Sequence, residues 1–195
     1  MAILRPAFII SEIRISVRIF FATTFTLFLA FYAHGQTASP EYKLKAVFLY
    51  NFVQFVDWPE TAFADPQSPF IIGVLGSDPF GGTLEETVAG EIVKNRKIEV
   101  RRYKKVKDIE SCHVLFLSAS EASQFNSILA GLKGRSILTV SDTEKFARNG
   151  GMVRFVTENN KIRFRINLEV TRTEKLLISA KLLQLAEIVS TETRP

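Results

Sequence analysis

The side chains with the widest chemical reach after residue 35 are one thiol and one imidazole, and they are neighbours: Cys112 and His113. A zinc site draws four ligands, or three plus water, from Cys, His and carboxylates. Adjacent residues of a strand point to opposite faces, so this pair does not close on one metal. A serine–histidine–carboxylate triad would have to use His113, and no G-x-S-x-G run presents a serine to it. Cys112 reads as a small buried hydrophobe, with a redox or catalytic thiol as the alternative. No catalytic residue, metal ligand or cofactor is assigned.

Three further features could bind rather than react. Gly73 to Gly82 (GVLGSDPFGG) lies between a strand and a helix, where phosphate loops sit, but it matches neither G-x-G-x-x-G nor G-x-x-x-x-G-K-[ST]. It reads as a glycine-built turn, with a small-ligand contact near Gly76 to Gly82 left open. Lys94 to Lys107 sets eight cations against Glu99 alone, a net of +7. Arg101, Arg102, Lys104 and Lys105 are its candidate docking residues, for anionic lipid headgroups or an acidic protein face. The competing reading is a charge-guarded edge strand. Trp58, the only tryptophan, is either a binding anchor or the side chain that closes the first helix on the core.

The elements that must position these residues follow from periodicity. Leu44, Val47, Phe48, Phe52, Phe55 and Val56 predict a helix over Glu41 to Trp58, ended by Pro59, and Leu49 and Val53 widen its apolar stripe so that burial on more than one side is expected. Phe70 to Leu75 and Val114 to Leu117 are continuous apolar runs, as expected of strands covered on both faces. Ile98, Val100 and Tyr103 alternate with charges in a half-exposed strand. A helix is expected from Ser120, as N-cap, to Leu132; a strand over Ile137 to Val140; and a short helix near Thr143 to Arg148. Met152 to Thr157 and Lys161 to Leu168 predict a hairpin turning at Asn159-Asn160. A last helix is expected over Ser179 to Val189, capped by Ser179. Strand–helix alternation followed by a hairpin predicts an α/β fold: a compact three-layer sandwich, its mixed sheet mainly parallel, with a C-terminal antiparallel hairpin and flanking helices.

The chain has 195 residues, 25 Lys+Arg, 20 Asp+Glu and 47% hydrophobic residues, which excludes a disordered tail or a disulfide-dense miniprotein. The apolar excess is concentrated between Ile19 and Ala33, after Arg5, Arg14 and Arg18. Ala33-His34-Gly35 then puts small residues before Gln36, so residues 1–35 read as a secretory signal peptide cut between Gly35 and Gln36. Removing its three cations and one carboxylate leaves residues 36–195, the expected single domain, at net +3. Export makes nucleic acid a poor partner. A lone cysteine excludes an internal disulfide and leaves a homodimer open.

The run Tyr42 to Phe52 (YKLKAVFLYNF) with Trp58-Pro59 resembles the opening of the YfiR/HmsC-like family. Val74 to Gly81, Cys112 to Phe116 with Ser118, Ile137 to Asp142, Gly150-Gly151-Met152, Phe164 to Leu168 and Ser179 to Ala186 continue the resemblance in order. It implies a compact α/β fold and a periplasmic, non-enzymatic regulator. The best-known members bind the periplasmic part of an inner-membrane diguanylate cyclase and hold it inactive, which limits cyclic-di-GMP and biofilm formation. The best-known member pairs several cysteines in disulfides linked to a redox response; with Cys112 alone, that mechanism is not carried over. The rival class is a periplasmic small-ligand sensor or solute-binding component feeding a histidine kinase or transporter.

Overall fold

The computed structural model describes residues 38–159 and 161–192; the leader and its cut between Gly35 and Gln36 lie outside them. Helix α1 spans Pro40–Phe55. Ser39 caps it by accepting from the Tyr42 N–H, Pro40 occupies the first turn, where its missing N–H costs nothing, and Glu41 complements the positive end of the dipole.

The helix departs from expectation in where it stops and in leaving Leu44 and Val47 outside the core. It ends at Phe55, three residues early, because Val56–Asp57 form a strand, β1, rather than a last turn. This strand pairs antiparallel with Leu177–Ile178, and Ser179 N–H donates to the Phe55 carbonyl at 2.9 Å, so tertiary partners take the backbone groups that another turn would use. The buried face is Ala46, Leu49, Phe52 and Val53 together with Lys45, while Leu44 and Val47 remain 44% and 41% exposed. The run is apolar on nearly every side, so periodicity alone cannot fix its rotation.

The main sheet has eight strands. They are β2 (Phe70–Leu75), β3 (Ile92–Val93), β4 (Arg96–Tyr103), β5 (Val114–Leu117), β6 (Leu138–Ser141), β7 (Val153–Glu158), β8 (Lys161–Asn167) and β10 (Ala186–Val189), with Leu177–Ile178 as β9 outside it. The order is β10-β8-β7-β6-β5-β2-β4-β3. β7, β6, β5, β2 and β4 run parallel; β8 turns back against β7 in the expected hairpin, whose Asn159 is left-handed at φ 49°. The expected mainly parallel α/β architecture forms.

α1 and α2 (Thr83–Val88) cover one face, where Phe70, Ile72 and Val74 meet Phe52 and Leu84. α3 (Phe125–Leu132) covers the other, where Ile71, Leu75 and Leu115 meet Phe125 and Ile128. Gly73 faces this second layer, and a Cβ there would lie 2.7 Å from the Tyr103 ring and 2.8 Å from Cys112 Sγ, so only glycine lets the layers close. Tyr103 belongs to this second layer, on the face opposite Ile98 and Val100 rather than beside them, because an odd-numbered step reverses the side chain.

Three expected helices are altered. The stretch from Ser120 begins as a 3-10 turn over Ala119–Gln124, capped by Ser118 rather than Ser120, before α3. The short helix near Thr143 is a 3-10 turn at Phe146–Asn149. Ser179 does cap a helix, but α5 (Ala180–Leu183) closes after one turn and Ala186–Val189 becomes β10, parallel to β8. The outer edge of β8 needs a partner, and the β-branched Ile188 and Val189 fit a strand better than a helix. Helix α4 (Leu168–Thr173), capped by Asn167, forms where the hairpin was expected to end. Among the described residues, no helix is long and apolar enough to cross a membrane.

Candidate functional site

α1 runs antiparallel to the central strands, so its two ends bring residues to opposite ends of the sheet. At the carboxyl end, Lys45 is buried to 2% exposure with its Nζ 2.6 Å from Asp142, which follows β6, and 2.6 Å from Glu41. The Tyr42 hydroxyl donates to the same Asp142 oxygen at 2.8 Å, and the Lys45 ammonium lies 4.3 Å from the Tyr42 ring centre. Tyr42 stands edge-on to Phe80, and Phe80 edge-on to Phe116, which joins this polar set to the core. Burial, reinforced by Asp142, pushes the Tyr42 phenol well above its ordinary range. The hydrogen bond from Lys45 holds the Glu41 carboxyl below its own, against a smaller opposing effect of burial.

A tyrosine, a lysine and a carboxylate in contact are groups that proton-transfer sites use. Such sites need an acid or base that titrates near neutral pH. Here the phenol is held protonated, and the ammonium is shared between two carboxylates and a ring. The arrangement is a clamp from α1 to the end of β6.

The crevice between β2 and β5, where an open α/β sheet would take a ligand, is filled by the chain itself. Gly76 is left-handed at φ 92°, and a Cβ there would meet Ser120 Oγ at 2.4 Å and Glu121 Cγ at 2.8 Å. Ser77 N–H donates to Ser120 Oγ at 3.0 Å. Arg102 brackets the loop from the other side, with Nε 2.9 Å from Asp78, Nη2 3.0 Å from Glu85 and 2.6 Å from the Gly81 carbonyl.

The basic stretch is accordingly less available than its charge suggests. Arg102 shares the face of Ile98 and Val100 and is spent on the loop just described, and Arg101 pairs with Glu99 at 2.8 Å. Arg96 donates to the Ser68 carbonyl at 2.6 Å and stacks 3.9 Å from the Phe63 ring centre, while Lys94 pairs with Asp57. Lys104 and Lys105 are exposed and make no ion pair among the described residues.

Trp58 sits at the amino end of the sheet, away from these lysines, so the expected docking residues do not converge. Its ring meets Phe70 at 5.5 Å and His113 at 6.0 Å, and Phe63 stacks on His113 at 4.5 Å. His113 is fully buried and its Nδ1 accepts from the Ile71 N–H at 3.0 Å. Burial, chiefly, lowers its pKa to about 4, with Arg96 adding to the effect and the Ala62 carbonyl opposing it. Trp58 Nε1 and His113 Nε2 are buried without a partner among the described residues. Cys112 points to the other layer, as adjacency requires, and burial pushes its thiol up to about 12. A thiol so placed is not a nucleophile near neutral pH.

One set of residues escaped the sequence reasoning. Arg148, Arg154 and Arg165 line a cleft of about 210 Å³ on the uncovered face of the hairpin. The only available signal was the alternation that puts arginines at 163 and 165 on the outer face of β8.

A family model described as YfiR/HmsC-like matches residues 42–187. No curated protein matches the chain. Among solved structures, the ABC domain in complex with L-Trp from Streptococcus pneumonia aligns at 12% identity and a TM-score of 0.46, covering 62% of this chain. The alignment spans about half of that structure's length, 55%.

Asp142→Ala is expected to cost about 3 kcal/mol in urea denaturation, since it leaves a buried ammonium short of a carboxylate. Tyr42→Phe/Lys45→Met/Asp142→Leu removes all three polar partners and is expected to be more stable than Asp142→Ala alone; equal or lower stability would contradict the clamp. At the other end, the unfolded chain takes up a proton on His113 below about 6.5 while the folded protein resists it down to about 4. Stability is therefore full above that window and falls by about 2 kcal/mol from pH 7 to pH 5. His113→Asn keeps an acceptor for Ile71 and should lose this part of the pH slope, as thermal melts at the two pH values would measure.

Proposed function

The chain belongs to the YfiR/HmsC-like family, and from that premise we propose that it is a periplasmic regulatory binding protein that represses an inner-membrane diguanylate cyclase through the cyclase's periplasmic part. Its output would be a lower cyclic-di-GMP level and less biofilm, produced by the partner's chemistry and not its own. One observation supports a binding role most directly. The reactive side chains in the family's blocks are engaged within the fold: Tyr42 and Lys45 on Asp142, His113 on the Ile71 amide, and Cys112 with its thiol pushed up to about 12.

For docking, Lys104 and Lys105, with Lys97 and Lys107 in the same stretch, are exposed cations that make no ion pair among the described residues, whereas Arg101 and Arg102 already hold Glu99 and Asp78. Exposed charges act here by steering and by like-charge rejection of wrong partners. Deleting the gene is expected to raise cyclic-di-GMP and surface attachment, and the native gene to restore both. Lys104→Glu/Lys105→Glu should restore them poorly while the protein folds and accumulates normally. Membranes probed with tagged native protein should yield a cyclase, and less of it as salt rises. Unchanged cyclic-di-GMP on deletion would overturn the repressor reading; full restoration by the lysine variant would move the interface elsewhere.

A further inference from the structure

The second face of the hairpin is built differently from the rest of the sheet. Over β2 and β5 that face carries Ile71, Leu75 and Leu115 under α3. Over β7 and β8 the same face carries Arg154, Val156, Arg163 and Arg165. Arg154 and Arg165 are direct cross-strand partners, a like-charge juxtaposition that destabilises a sheet unless something compensates. Arg148, at the end of the 3-10 turn, and Lys145, held left-handed at φ 61° just before it, complete the cationic lining. Glu144 and Glu192 are the acidic residues of the lining.

The neutralisation is uneven. Arg165 is satisfied by Glu187 at 2.8 Å and Glu158 at 3.6 Å, and Arg148 by Glu192 at 3.0 Å. Arg154 makes no ion pair or hydrogen bond among the described residues, and its Nε is buried without an acceptor. A buried donor left unpaired carries a desolvation cost that is larger when the group is charged. A cation in that state, beside a cleft and facing another arginine, is the arrangement an incoming anion would relieve.

From this geometry we infer that the cleft is a binding site for a phosphate-class dianion, with Arg154 as its principal ligand and Arg148 and Arg165 as supporting ones. Three guanidinium groups approach from β7, β8 and the turn. A single planar carboxylate is saturated by one guanidinium fork, whereas a tetrahedral dianion has oxygens for several. The cleft, about 210 Å³, is smaller than those that enclose drug-sized ligands. It suits a free phosphate or the phosphoryl group of a small ester. Glu192 is a built-in competitor, because its carboxylate occupies Arg148 and its own N–H is tied to the Arg148 carbonyl at 2.9 Å. This inference does not depend on the cyclase reading.

The test is calorimetric titration of the untruncated protein as its host makes it, at constant ionic strength, with inorganic phosphate in one arm and glycerol 2-phosphate in the other. Saturable binding in either arm is expected, and the tighter arm identifies the free ion or the ester as the source. Arg154→Gln should weaken binding about tenfold or more, the loss of one charge-assisted contact. Glu192→Gln should tighten it severalfold, a gain that misfolding cannot produce. No saturable binding in both arms, an Arg154→Gln affinity equal to the native one, or a Glu192→Gln affinity unchanged or weaker would each overturn the proposal.

Discussion

A buried ammonium constrains this fold more than any other single group. Lys45 lies one turn into α1 with its charge out of water, and an uncompensated charge there would cost several kcal/mol. Its partner Asp142 belongs to the loop after β6, so satisfying Lys45 requires the first turns of α1 to lie at the carboxyl ends of the parallel strands. It also requires a particular rotation. With Lys45 turned inward, Ala46, Leu49, Phe52 and Val53 follow it into the core, and Leu44 and Val47 are left outside. Phe52 then meets Phe155 and Phe164 at 5.8 and 5.6 Å, which draws the hairpin under the same helix.

The two ends of the sheet use this helix differently. The carboxyl end is polar and clamped, with Tyr42, Lys45 and Asp142 above Phe80. The amino end is aromatic, with Trp58, Phe63 and Phe70 around a neutral imidazole. In both places the residues most suggestive of chemistry hold elements together. Outside them lie the exposed lysines after β4 and the arginines of the hairpin face.

Much of this was legible in the sequence where one local rule dominates. β2 and β5 announced themselves as unbroken apolar runs because both of their faces are covered, and β8 by its alternation, together with the turn at Asn159, because the hairpin has one face on the core and one outside it. The opposition of Cys112 to His113 followed from their adjacency just before β5, and the burial of Cys112 from its residue type. Other features depended on partners distant in sequence. The rotation of α1 is set by an aspartate 97 residues away. β10 is a strand because β8 has an edge to fill, and β1 because β9 lies beside it. Arg102 looked free in a run of cations, but Asp78 and Glu85 reach it only after β2 and β4 pair. The hairpin arginines were visible as residues, but their convergence on a cleft required the turn at Arg148.

Lys45 turns α1 so that its apolar outer residues, Leu44 and Val47, face water. Thiol labelling measures this directly, with buried Cys112 as an unreactive internal standard. Val47→Cys in the native protein should react at close to the rate of an unfolded chain while Cys112 stays protected until global unfolding. A Val47→Cys thiol as slow as Cys112 would mean that this face of α1 is buried, and that the Lys45–Asp142 pair does not set the helix.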